Sequence, residues 1–185
     1  MGANAKQKIM DAAFECFNFD GIRGVSADTI IERANVAKMT LYKHYPTKDA
    51  LAAAYVRARS EKWMTWLIDR VKRTGRKPSQ RPLALFDALE EWFTSDDYYG
   101  CPFHRAAGEF PDLKHPVHKE VIKNKDELRQ FVAQLVADAG LPKRANLVEE
   151  LMIMMAGAEV MTNIEGPAKH ARVARQSAAR LLRRQ

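Results

Sequence analysis

Apolar residues recur at helical spacing along the whole chain, and no stretch alternates polar with apolar as a half-buried strand would, so the pattern predicts an all-α protein. Ile9, Ala12, Ala13, Cys16 and Phe17 form one stripe that stops at the turn holding Gly21 and Gly24. Ser26 can cap a short second helix carrying Ile30, Ile31 and Ala34. After Asn35 and Val36 a third helix runs through Leu41 to about Tyr45, where Pro46 ends it. Thr47 then caps a long fourth helix whose apolar line passes Leu51, Tyr55, Ala58 and Trp66. The stretch from Gly75 to Pro82 is rich in Lys, Arg, Pro and Ser and reads as a solvated connection. Beyond it come a helix with Leu85, Phe86, Leu89, Trp92 and Phe93, and a short one opened by Pro102 and closed by Pro111. A long helix from about Val117 to Ala139 is stopped by Gly140 and Pro142. A Met-rich helix from about Arg144 to Ile164 leads through Gly166 and Pro167 into a basic last helix.

Composition narrows the possibilities. No apolar run approaches the roughly 18 residues of a membrane span. The residues from Met1 to Lys6 contain no secretory apolar segment, and Lys6 stands where a myristoylation signal wants Ser or Thr, so a cytoplasmic protein with no membrane partner is expected. Two cysteines, Cys16 and Cys101, with no CxxC pair, fit a reducing compartment. The net charge of +7 suits a polyanionic partner once the charge is located.

Two of those cations, Lys38 and Lys43, fall on the third helix. In the segment from Thr29 to Tyr42, two short helices flank a tight turn in the layout of a helix-turn-helix. Ala34 is small enough for the helices to cross closely, Asn35 tolerates a left-handed backbone, and Val36 and Leu41 plug the gap between them. Lys38, Thr40, Tyr42, Lys43 and His44 then remain on outward or flanking positions, offering phosphate donors and base-edge contacts. Ser26, at the start of the second helix, joins this set. Thr47 and Lys48 add a hydroxyl, a cation and free backbone N–H groups at the positive end of the fourth helix, which suits a phosphate.

The residues from Val25 to Leu51, above all Thr40-Leu41-Tyr42-Lys43-His44-Tyr45-Pro46-Thr47-Lys48-Asp49-Ala50-Leu51, resemble the DNA-binding domain of the TetR family of regulators. The chain departs from the family pattern in carrying Asn35 where a glycine is usual, and Ala37 and Met39 where Ser and Gly are frequent. The resemblance implies a helix-turn-helix domain over residues 1–48 and a helical ligand-binding and dimerisation domain over 49–185. It implies a transcriptional repressor that binds a palindromic operator as a homodimer and is released by an unidentified small-molecule inducer. Gly100 to Asp112 is similar to a segment of one subgroup, and implies a short helix linking the pocket to the DNA-binding end.

In the larger half, Trp63, Trp66, Trp92, Phe93, Tyr98, Tyr99, Phe103 and Phe110 supply aromatic surface for an apolar ligand cavity, although aromatic residues fill ordinary cores too. Cys101 and His104 join the candidate ligand-binding set. His104 and Arg105 could orient a polar or acidic ligand, or sit on a solvated helix face. Cys101 stands at a helix start, where the dipole lowers a thiol pKa, or serves as a small structural residue. His104, His115 and His118 could bind zinc only if they converged, and their spacing matches no ligand motif, so neither metal nor cofactor is expected. Met152, Ile153, Met154, Met155, Gly157 and Met161 make the Met-rich helix apolar over too wide an arc for one-sided cover. A twin helix from a second copy, with Leu181, Leu182 and the alanines of the last helix, would complete a four-helix interface; the alternative is burial wholly within one subunit, and dimerisation is favoured because a lone helix-turn-helix rarely binds tightly. The basic face of the last helix, Arg172, Arg175, Arg180, Arg183 and Arg184, reads as solvated. No Glu-x-x-His pair, HExxH, phosphate-cradling glycine loop or nucleophile with its base is present, so no enzyme is expected.

Overall fold

The computed structural model describes residues 2–96, 98–141, 146–166 and 168–183. Among them are nine α-helices and no strand: α1 Gly2–Gly24, α2 Ala27–Ala34, α3 Lys38–His44, α4 Lys48–Thr74, α5 Arg81–Phe93, α6 Pro102–Glu109, α7 Pro116–Asp138, α8 Leu147–Glu165 and α9 Lys169–Arg183. The readings that fall on Pro142, Arg144, Pro167 and Arg184 lie outside the described residues. No helix among the described residues is long and apolar enough to cross a membrane. The chain divides into two compact units, Met1–Glu61 with Pro102–Asn124, and Lys62–Cys101 with Lys125–Gln185.

In the first unit α1 packs against α2, α3 and α6. The predicted stripe supplies the core, with Ile9, Ala12, Ala13, Cys16 and Phe17 all buried. Phe14 and Phe17 set their edges against Tyr55 of α4 at 5.0 and 5.2 Å between ring centroids. That burial also pushes the Tyr55 hydroxyl pKa upward. A buried hydrogen bond from Asn124 Nδ2 to Ser60 Oγ, 2.9 Å, joins α7 to α4 within this unit.

In the second unit α9 packs against α5 and α8. Ala171, Ala174 and Ala178, three to four residues apart, form its buried face, and their small side chains let the helices approach closely. These alanines were expected against a second copy; they are used inside the chain instead, because α5 and α8 cover them. Arg172 and Arg175 are not simply solvated: they pair with Glu90 and Asp87 of α5 at 3.0 and 2.6 Å. The connection after α4 is shorter than its composition suggested. A 3₁₀ turn at Pro78–Gln80 runs directly into α5, where Pro82 occupies an early position that needs no N–H donor.

Candidate nucleic-acid interface

The helix-turn-helix is built by local rules. Ser26 Oγ accepts the Thr29 N–H at 3.0 Å, capping α2. Asn35 ends α2 in the left-handed region (φ 49°, ψ 56°), and its N–H returns to the Glu32 carbonyl at 3.1 Å. α3 buries only Leu41, fully, while Ala34 of α2 is buried at the crossing. The remaining α3 side chains face outward or lie half-buried. Lys38, Met39, Tyr42 and Lys43 are exposed, and Thr40 and His44 are half-buried. Tyr45, just beyond, is buried, which raises its hydroxyl pKa.

The flanking cations are positioned. Lys38 Nζ donates to Asp28 Oδ1 of α2 at 3.0 Å, an exposed pair whose hydrogen bond raises the lysine pKa. Lys48 Nζ donates to the Arg23 carbonyl at 3.3 Å, tying the start of α4 to the end of α1. Thr47 Oγ1 accepts the Ala50 N–H at 3.0 Å and still has a hydroxyl hydrogen to give. Arg33 pairs with Glu15 at 3.1 Å, holding α2 to α1.

A clamp that no local pattern announces sits behind this surface. α1 is broken at Gly21 (φ 76°, ψ 165°). Arg105 Nη1 donates to the Asn18 carbonyl, before the break, at 2.7 Å. Glu109 accepts the Ile22 and Arg23 N–H groups, after it, at 3.2 and 2.6 Å. Four residues apart on α6, the two side chains point the same way and match the dipole at each end: a cation on terminal carbonyls, a carboxylate on free amides.

A family model described as bacterial regulatory proteins of the tetR family matches residues 9–55, and one described as a tetracyclin repressor-like C-terminal domain matches residues 78–178. The chain belongs to the tetR family of bacterial regulatory proteins. It is thus a helix-turn-helix transcriptional regulator. It is 22% identical over 152 residues to the HTH-type transcriptional regulator YjdC of Escherichia coli, spanning 82% of this chain and 80% of that one. Its fold is that of a tetR-family regulator from Streptomyces coelicolor, with a TM-score of 0.85 and 23% identity over 98% of this chain and 95% of the other. A second tetR-family structure, from Chloroflexus aurantiacus, superposes with a TM-score of 0.84 at 21% identity, over 100% and 96% of the two chains.

Within this tetR-family regulator the candidate ligand residues divide between the units. In the second, Trp63 and Trp92 stand 5.3 Å apart, and Tyr98 lies 5.1 Å from Trp92 and 5.2 Å from Phe93, forming one aromatic cluster. Burial, followed by the neighbouring Cys101 and Glu159, drives the Tyr98 hydroxyl pKa far upward. Cys101 is buried and Trp66 half-buried. In the first unit Phe103 is buried and His104 half-buried. Phe110, also buried there, stacks on His115 at 4.4 Å and carries the Arg23 guanidinium 5.1 Å from its ring centroid.

The His115 and His118 rings are occupied locally. His115 Nδ1 accepts the Val117 N–H at 3.3 Å, so its Nε2 carries the proton directed at Asp49, 3.2 Å away. His118 Nδ1 donates to the Phe110 carbonyl at 2.6 Å. Among the described residues neither belongs to a group of three metal-ligating side chains.

Sequence reasoning missed a cavity of about 190 Å³ between α7 and α8 in the second unit, lined by Leu128, Met152, Met155 and Ala156, with Lys125 and Glu159 supplying charge. Glu159 is 1% exposed, and Lys125 Nζ lies 3.6 Å from its Oε2. A carboxylate inside a Met-rich run was the available signal.

Proposed function

We propose that this regulator is a cytoplasmic repressor that grips a palindromic operator as a homodimer and is released by a small molecule. The carrying observation is the outward set of α3, Lys38, Met39, Tyr42 and Lys43, on a helix anchored through Leu41 alone. An element of that size and polarity fits a major groove. Residues 1–48 would grip DNA, with Ser26, Thr40, His44, Thr47 and Lys48 contributing, and 49–185 would dimerise and sense. The aromatic cluster of Trp63, Trp92, Phe93 and Tyr98 supports an apolar effector. α4 has residues in both compact units and is the natural carrier of the response.

Selection from a pool of random duplexes tests the reading. An inverted repeat with half-sites about 34–36 Å apart is expected, one DNA turn; equal affinity for every duplex would reject it. On the selected duplex, Lys48→Ala is expected to weaken binding to operator-like and scrambled DNA alike. The slope of log affinity against log salt should fall by about one per subunit. Lys38→Ala should instead cost about 1–3 kcal/mol on the selected sequence and relax preference at one position. Titrations of both variants on both duplexes at several salt concentrations separate the two roles.

A further inference from the structure

Among the described residues Met39 is the large apolar side chain most open to water, 82% exposed at the second position of α3. Its apolar surface gains nothing there, and covering it would be favourable. Helical spacing aligns it with Tyr42 and Lys43, three and four residues on, away from the buried Leu41. Lys38, the residue before it, leans back to Asp28 of α2 at 3.0 Å. Met39 therefore stands forward on the surface assigned above to the major groove.

We propose that Met39 is a specificity-determining residue that packs its thioether on the C5-methyl group of a thymine, flanked by the Tyr42 ring. The inference rests on the DNA-reading role of α3 proposed above. Among the four bases only thymine presents an apolar group on its major-groove edge. A thioether is at best a weak acceptor and donates nothing. Against the donors and acceptors of the other base edges it would strip water without replacing the lost hydrogen bonds. The first residues of a recognition helix are also those that reach base edges. Met39 thus selects by shape and desolvation, whereas Lys38 and Lys43 select or position by charge.

The test uses the full-length protein and the duplex it recovers from a random pool. Each thymine is replaced in turn by deoxyuridine, which removes the methyl group and nothing else. At one thymine per half-site the wild-type protein is expected to lose about fourfold in affinity, the value of one buried methyl group. Met39→Ala should bind the thymine and deoxyuridine duplexes equally at that position, and Met39→Leu, still apolar, should keep most of the discrimination. Because the side chain is exposed, all three proteins fold alike, which their circular dichroism and melting curves check. The proposal is overturned if the wild type discriminates at no thymine, or if Met39→Ala discriminates as well as the wild type. Failure of the wild type to recover any sequence would overturn both this contact and the DNA-reading role on which it rests, and so is distinguishable from loss of the methyl contact alone.

Discussion

Replacing Gly21 by alanine is expected to destabilise the protein by about 3 kcal/mol, seen as a lower urea midpoint and melting temperature. Two effects add. At φ 76° and ψ 165° the backbone occupies a region that is essentially restricted to glycine, and a side chain there costs on the order of 1–3 kcal/mol. A Cβ at this position would also stand 2.8 Å from Glu109 Oε1. The carboxylate can move aside only by releasing the Ile22 and Arg23 amides, and hydrogen bonds to a charged acceptor are worth about 1.5–3 kcal/mol. Glu109→Gln separates the contributions: it keeps the glycine, removes the charge, and should cost about 1–2 kcal/mol. Because Ile22 and Val25 are buried just before the Ser26 cap, Gly21→Ala should also lower affinity for the selected duplex. A variant as stable as the wild type would show that the break in α1 carries no strain.

The fold was legible where one residue decides a boundary. Ser26 and Thr47 cap, Asn35 turns and Pro102 opens a helix, each through chemistry within four residues of the position it controls. The break in α1 at Gly21 falls where the apolar stripe was expected to stop, but the partner that holds the break was not legible. The amides freed at the break are satisfied by a carboxylate 86 and 87 residues away, and no local pattern encodes such a partner. The choice for the α9 alanines between a second copy and burial within one subunit could not be made from the sequence for the same reason. A small-residue stripe shows that something packs closely, and only the tertiary structure shows that α5 and α8 provide it.

At the interface, the polar positions of α3 could be read from periodicity once Leu41 was placed inside. Pairing could not: Lys38 with Asp28, and Lys48 with the Arg23 carbonyl, depend on how α2 and α1 present those acceptors. Met39 was noted only as a departure from the family pattern, yet its position on the wheel, two residues from Leu41, already puts it on the side opposite the core. Phe110 was grouped with the aromatic ligand candidates on composition. The structure places it on His115 and under Arg23, beside the end of α1.

Gly157→Arg is expected to convert the proposed homodimer to a monomer and to reduce affinity for the selected duplex by about two orders of magnitude or more, the gain that linking two half-site contacts provides. A glycine inside a helix costs about 1 kcal/mol relative to alanine, and a Cβ at Gly157 would meet nothing within 4 Å among the described residues. No contact among them accounts for its being there. It lies on an open apolar arc of α8 with Ile153, Val160 and Ile164, of which the two isoleucines are 69% and 71% exposed. A second helix crossing at Gly157 would cover those side chains and use the missing Cβ to come close. In a single chain the arginine can extend into solvent, so the variant should still fold and melt cooperatively, its melting temperature lowered only by the lost association. Gly157→Ala supplies the opposite sign: helix propensity alone would stabilise the chain by about 1 kcal/mol, whereas a crowded crossing would weaken the dimer despite that gain. Sedimentation at micromolar concentration reads both variants. A Gly157→Arg protein that still sediments as a dimer and binds DNA as before would remove this face of α8 from the interface.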